Sequence, residues 1–323
     1  MTEPAPSPFL PGTRLQVAWD STSLGMLKTC PRLYYYTIIE GWTSREESVH
    51  LRFGIEYHAA LQDYDLSRAA GITHNDALHD VIRELLLRTA DFDPDHKSKT
   101  RESLVRTVVW YLDQFKNDPA ETVILSDGKP AVEQSFRFEL DWGPPEKLIT
   151  DYVIGGASAA VDIHYILCGH LDRLVRYNDE LFVMDRKTTT WTLGASYFAQ
   201  YEPHNQMTLY TLASQIVLGT AVKGVIIDAA RIAESTSDFA RGFTFRSQDQ
   251  LEEWLNDLHY WFALAEQYAT IGIWPMNDVA CDKFGGCKFR SVCSKSPSVR
   301  QRFLEGTFTK LEESAKWNPL RPR

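Results

Sequence analysis

The chain has 323 residues, 44% hydrophobic and 24% charged, with a formal net charge of −9. That balance suits a soluble globular protein of one large domain, or one domain carrying a sizeable insertion. No apolar run reaches the roughly 18 residues of a membrane-spanning helix. The Pro-rich start, Met1 to Pro8, lacks the basic and apolar segments of a secretory signal. The expectation is a cytoplasmic protein with no membrane partner.

Residues 1–14 read as a flexible lead-in. Residues 22–36 predict a helix opened by a Ser/Thr cap, with Pro31 placed to kink it. Residues 48–66 have helical apolar spacing through Leu51, Ile55, His58, Ala59 and Gln62. Residues 75–89 and 98–115 continue the pattern, so 67–120 is expected as a helical insertion before the sheet. Residues 132–140 alternate as a strand, Trp142 to Pro145 punctuates it, and another strand is expected near 159–167. Residues 171–177 and 181–185 read as paired strands, and 203–218 as a helix with proline in its first turn. Then come an apolar strand at 223–229, a short edge strand at 243–246 and a Trp- and Leu-rich helix at 250–268. This order fits an α/β fold, a small mixed sheet flanked by helices.

The hairpin carries the chemistry. Gly169-His170-Leu171-Asp172 and Val183-Met184-Asp185-Arg186-Lys187 flank Tyr177-Asn178-Asp179-Glu180. A two-residue turn on Asn178 and Asp179, both tolerant of positive φ, pairs Tyr177 with Glu180. The same register sets Asp172 opposite Asp185. Like charges so placed repel, and the usual offset is a hard divalent cation with oxygen ligands. Lys187 lies two residues past Asp185 and so points to the same face. Two facing carboxylates beside a lysine suggest a metal-dependent site that cleaves phosphodiesters. A bulged turn would shift the register, and charged strand ends are also common as solvated surface.

Cys281, Cys287 and Cys293 are spaced six apart, whereas Cys30 and Cys168 stand alone. An odd count argues against a disulfide framework. Thiolate ligation of a metal or an iron–sulfur cluster fits better, and four cysteines are the usual set for a cluster. Zinc stays open, although the C-x-x-C pairs it favours are missing. Cys168 follows an apolar run and reads as an ordinary buried thiol.

Gly-His-Leu-Asp, with Asp-Arg-Lys-Thr beginning thirteen residues after the first Asp, resembles the PD-(D/E)xK nuclease superfamily. The likeness is to its RecB-like branch, which includes the RecB and AddB nuclease domains and the CRISPR-associated RecB-like exonucleases. Gly54-Ile55-Glu56-Tyr57-His58 resembles an upstream helix whose histidine binds metal in that branch. Gln206-Met207-Thr208-Leu209-Tyr210 resembles the downstream Q-x-x-x-Y helix. Glu133 stands where the branch often has a glutamate on its first core strand. Ser23 to Tyr34, around Cys30, resembles the opening of the iron–sulfur subgroup. The gap between Cys281 and Cys287 departs from the more common two-residue spacing.

The resemblance implies a restriction-endonuclease-like core over residues 15–303 as a single nuclease domain, with an iron–sulfur segment at 281–293 and a tail at 304–323. It implies that Asp172, Asp185 and His58 bind one or two Mg²⁺ or Mn²⁺ ions. Lys187 would orient the attacking water or stabilise developing charge. Gln206 and Tyr210, four apart on one helix face, would position the substrate phosphate or a metal-bound water. Cys30, Cys281, Cys287 and Cys293 would hold a [4Fe–4S] cluster, a clasp closing a loop of about 250 residues.

The implied function is a DNA exonuclease acting on duplex ends or single strands in repair, recombination, phage or CRISPR processing. With no G-x-x-x-x-G-K-(S/T) motif for unwinding, it implies a helicase or recombination partner. The rival reading is a non-cleaving nucleic-acid-binding or scaffold protein on the same fold, with zinc in place of the cluster. The net charge weighs mildly against nucleic acid, but local basic stretches can still bind phosphate. One is Lys283, Lys288, Arg290, Lys295, Arg300 and Arg302; another is Lys97, Lys99, Arg101 and Arg106. Such runs also serve as solvated faces.

Overall fold

The structure, a computed structural model, describes residues 6–140, 153–154, 157–158, 163–282 and 286–321. The chain divides into two compact units. One comprises Met1–Glu46, Ser135–Gly169 and Asp249–Arg323; the other comprises Glu47–Gln134 and His170–Gln248.

The second unit begins with three helices, α1 (Val49–Ala69), α2 (His74–Arg88) and α3 (Arg101–Gln114). Each starts where a hydroxyl can cap it: Ser48 accepts from Leu51 N–H, Thr73 from Asp76 N–H and Thr100 from Ser103 N–H. Their apolar stripes meet in one core, with Phe53, Tyr57 and Leu61 of α1 against Val81 and Leu85 of α2 and Leu104 and Val108 of α3. Ala230 and Ile232 join this core from the sheet.

The strands are β1 (Val132–Glu139), β2 (Ile166–Tyr177), β3 (Glu180–Thr189), β4 (Gly224–Ile232) and β5 (Ser237–Thr244). β2 and β3 are antiparallel, β3 and β4 parallel, and β4 and β5 antiparallel. A parallel pair needs a crossover, and α4 (Asn205–Leu218) lies in the connection. The result is the mixed sheet flanked by helices that the sequence pattern implies. Successive residues on β3 serve opposite faces: Arg186 reaches Asp65 on α1, and Lys187 reaches Gln206 on α4.

Three elements differ from expectation. β5 pairs with β4 over eight residues, because Asp238 and Arg241 break the apolar alternation that would have revealed its length. The helix expected from Pro203 starts at Asn205, after the N-cap His204, so the proline precedes its first turn. β2 begins at Ile166; residues 159–162 of the strand expected before it lie outside the described residues.

In the first unit, the predicted 22–36 helix is two helices, Ser21–Thr29 and Pro31–Tyr34. Cys30 between them is extended, with φ −163°, since a residue before proline is pushed out of the helical region. Trp19, fully buried, stacks on Tyr34 and Phe262. A second cluster joins Tyr36, Trp42, Phe289, Val292, Leu304 and Phe308. Phe308–Lys310 pairs with Trp42–Ser44 as a small antiparallel ladder, so this part of the expected tail is packed structure. No helix among the described residues is long and apolar enough to cross a membrane.

Candidate active site

The hairpin turns on Asn178 and Asp179, whose φ values of 49° and 63° are those of a tight two-residue hairpin loop. Tyr177 pairs with Glu180, and the register runs unbroken to Arg173 with Met184. Asp172 and Asp185 follow directly beyond that last pair, close enough for the charge of one to act on the other. Both carboxylates are buried, at 5% and 1% exposure. Asp172 Oδ2 accepts the Arg186 backbone N–H at 2.9 Å and lies 3.4 Å from His58 Nδ1 on α1.

Glu133, near the start of β1, has φ 49°. A non-glycine residue in this left-handed region costs roughly 1–2 kcal/mol, and such strain collects at functional sites. Here it accompanies a side chain aimed at the other two. One ligand atom each from His58, Glu133 and Asp172 all lie within 4.8 Å of one another. In the sequence, Glu133 is placed only by its resemblance to a glutamate on the first core strand, which leaves its role open.

Asp185 belongs to a neighbouring group. Its Oδ2 is 2.7 Å from Lys187 Nζ. Lys187 Nζ also donates to Gln206 Oε1 at 3.0 Å, and Gln206 Nε2 donates to Tyr210 OH at 3.0 Å. The expected residues therefore gather as two adjoining sets, His58 with Asp172 and Asp185 with Lys187, Gln206 and Tyr210. The hairpin register joins them.

The two aspartates titrate apart. Burial pushes Asp185 up to about 6, helped by the charge of Asp172 and opposed by Lys187. Burial acts on Asp172 as well, but His58, Lys187 and the Arg186 N–H outweigh it and hold this carboxyl below the usual range. Lys187 is raised despite its burial, because Asp185 and Asp172 hold the ammonium charged.

Three further side chains surround this pair that the sequence did not single out. Tyr197 and Tyr201 place their hydroxyls 3.2 Å apart, and Tyr197 feels the charges of Lys187 and Asp185. His204 is pushed down to about 4 by burial and by Lys187 and Arg246, so it is neutral at ordinary pH. Their signal in the sequence was the four-residue spacing of Tyr197 and Tyr201 just ahead of α4.

In the first unit, Cys30, Cys281, Cys287 and Cys293 line a single small cavity together with Leu33, Asn277 and Phe289. The Asn277 N–H donates to Cys30 Sγ at 3.3 Å. Cys168 is elsewhere: its thiol donates to the Trp19 carbonyl at 3.5 Å, and burial pushes it up to about 12.

Two buried aspartates on a β-hairpin, with a lysine two residues past the second, are thus brought together with His58 and Glu133. The family model of the PD-(D/E)XK nuclease superfamily matches residues 21–294, and the chain belongs to that superfamily. No curated protein matches the sequence. Among solved structures, the chain is similar to a putative exonuclease from Eubacterium rectale, with 10% identity and a TM-score of 0.45, covering 82% of this chain and 86% of that one. It is also similar to SSO0001, with 14% identity and a TM-score of 0.34, covering 86% of each chain.

Proposed function

We propose that the chain is a metal-dependent deoxyribonuclease of the RecB-like branch, an exonuclease acting on DNA ends or single strands. The observation that carries this is the convergence of His58, Glu133 and Asp172 beside the buried Asp185–Lys187 pair. Carboxylate oxygens with one imidazole suit Mg²⁺ or Mn²⁺. Asp185 would complete the ligand set from the adjoining position. A bound ion would lower the pKa of a coordinated water and stabilise charge on the phosphate oxygens. Asp172 is already ionised and oriented by the Arg186 N–H. Lys187 holds its proton and offers a fixed positive charge to the pentavalent phosphate. Gln206 fixes the lysine's direction, and Tyr210 fixes the Gln206 amide.

The test compares wild type with Asp185→Ala, both purified without oxygen, on end-labelled DNA with free or blocked ends in Mg²⁺ or Mn²⁺. Wild type should cleave free ends and the variant should not. An inactive wild type, or a variant that cuts as well, overturns the assignment.

The same reading gives Cys30, Cys281, Cys287 and Cys293 a [4Fe–4S] cluster, supported by their lining one cavity. Thiolate-bound iron should absorb near ~400 nm. A colourless protein loaded with zinc would remove the cluster.

A further inference from the structure

Of the basic stretch from Lys97 to Arg106, which runs into α3, two members are already occupied. Arg101 donates to the Leu86 carbonyl and Thr89 hydroxyl, and Arg106 to the carbonyls of Ala233 and Glu234. Lys99 is different. It is 2% exposed, yet its ammonium has only a long contact to Thr188 Oγ1 at 3.5 Å and a position 5.1 Å over the Phe53 ring. Among the described residues, no carboxylate forms an ion pair with it. A buried cation without a counter-charge is costly, and burial accordingly pushes this amine down to about 8.

A further donor lies three residues before Lys99. His96 Nδ1 accepts the N–H groups of Ser98 and Lys99, which leaves Nε2 as the protonated, donating nitrogen. The exposed His50 packs edge-on against His96, with ring centroids 5.1 Å apart. The position ties this cluster to the site. Thr188 directly follows Lys187. His50, Gly54 and His58 recur every four residues along one face of α1, about 6 Å per step. Gly54 leaves the middle of that face bare, and a Cβ there would meet Thr188 Oγ1 at 3.8 Å.

We propose that Lys99 and His96 form a phosphate-binding subsite that holds the substrate strand at a phosphate next to the one cleaved. This rests on the nuclease reading for its location, but binding can be measured apart from cleavage. A phosphate would supply the counter-charge that Lys99 lacks, and Thr188, which Lys99 contacts and which directly follows Lys187, sets the subsite beside the Asp185–Lys187 pair. The bound group is either an internal phosphodiester or a terminal phosphate at a strand end.

The experiment uses the full chain with Lys99→Met, Lys99→Arg and, as a control, the exposed neighbour Lys97→Met. Labelled single-stranded DNA, with or without a terminal phosphate, is bound in Ca²⁺ over a range of salt. Lys99→Met should bind about tenfold more weakly, with the salt slope reduced by about 0.7, the loss of one single-strand phosphate contact. Lys99→Arg should retain most of the affinity and Lys97→Met all of it. In Mg²⁺, Lys99→Met should raise KM more than it lowers kcat. Because the substitution removes an unpaired buried charge, its melting temperature should hold or rise, which separates lost binding from lost folding.

A Lys99→Met effect confined to DNA with a terminal phosphate assigns the subsite to strand ends; an effect on both assigns it to an internal phosphate. Unchanged affinity and salt slope overturn the subsite even if wild type cleaves. Lys99-dependent binding by a protein that never cleaves overturns the nuclease reading and leaves the subsite standing.

Discussion

The two faces of β3 place consecutive residues in opposite electrostatic situations. Behind the strand, Arg186 pairs with Asp65 at 2.6 Å, and Arg173 lies 3.7 Å from Asp65 and 3.5 Å from Asp118. Arg241 lies 2.7 Å from Asp118 and 3.2 Å from Asp228, which also accepts from the Tyr111 hydroxyl. Among the described residues, three guanidiniums here meet three carboxylates. In front, Asp172, Asp185 and Glu133 face one lysine and one histidine. The rear sets each carboxylate against guanidiniums, whereas the front sets carboxylate beside carboxylate, and burial with the charge of Asp172 pushes Asp185 up to about 6. Burial and charge therefore do not by themselves mark the chemistry; carboxylates held close together do, since a cation can relieve their repulsion.

The largest expected effect comes from neutralising the front. Asp185→Asn should lower DNA cleavage by about a thousandfold or more, in the range seen for loss of one preorganised active-site group. The same change should leave the protein as stable or more so, because the native state strains to keep this carboxylate ionised. A melt and a cleavage assay on one preparation check both halves. Loss of stability in step with activity would make the two faces alike.

The rear should behave in reverse. Asp65→Ala leaves Arg186 buried without its carboxylate, and breaking such a pair typically costs about 3–5 kcal/mol. Urea unfolding should register that loss. The molecules still folded should cleave at close to the wild-type rate, since Asp172 is held by the Arg186 backbone rather than by its side chain.

The faces should also separate by pH in metal-free protein. Asp118 is held below the usual carboxylate range: burial opposes this, but hydrogen bonds from Arg241 and the Ala120 N–H, with Arg173 nearby, outweigh it. Its contribution is complete above the unfolded value, about 3.9, and is lost as pH falls further towards its folded value. Asp185 has the opposite sign. Its folded value of about 6 exceeds the unfolded one, so folding takes up a proton, and stability rises as pH drops from about 7 towards 4. Urea midpoints in chelator should climb and then fall on acidification. Asp185→Asn should erase the climb and Asp118→Asn should soften the fall.

Much of this arrangement was legible in the sequence because it rests on local rules. Asn178 and Asp179 tolerate positive φ, which set the turn and the register from Tyr177 with Glu180 to Arg173 with Met184. The apolar spacing of residues 48–66, 75–89 and 98–115 announced the three helices. What the sequence could not show depends on long-range placement. Nothing local to Arg186 indicates an ion pair with Asp65, 121 residues away, and nothing local to Lys99 indicates that it is buried without a partner. Taking Pro31 as a kink places Cys30 inside a helix, whereas the proline's effect on the preceding residue ends the helix there.

Glu133 offers the smallest and most discriminating test. If its backbone is held left-handed to deliver a carboxylate to His58 and Asp172, glycine and alanine should invert their usual order there. Alanine keeps the cost of roughly 1–2 kcal/mol for positive φ, whereas glycine avoids it and loses about 0.5–1 kcal/mol to chain entropy. Glu133→Gly should therefore be more stable than Glu133→Ala by up to about 1 kcal/mol, read as a shift in urea midpoint. Both should weaken Mn²⁺ binding by the same factor, because both lack the carboxylate. Equal stabilities would mean that the residue relaxes to an ordinary strand conformation, and the front face would then hold two carboxylates rather than three.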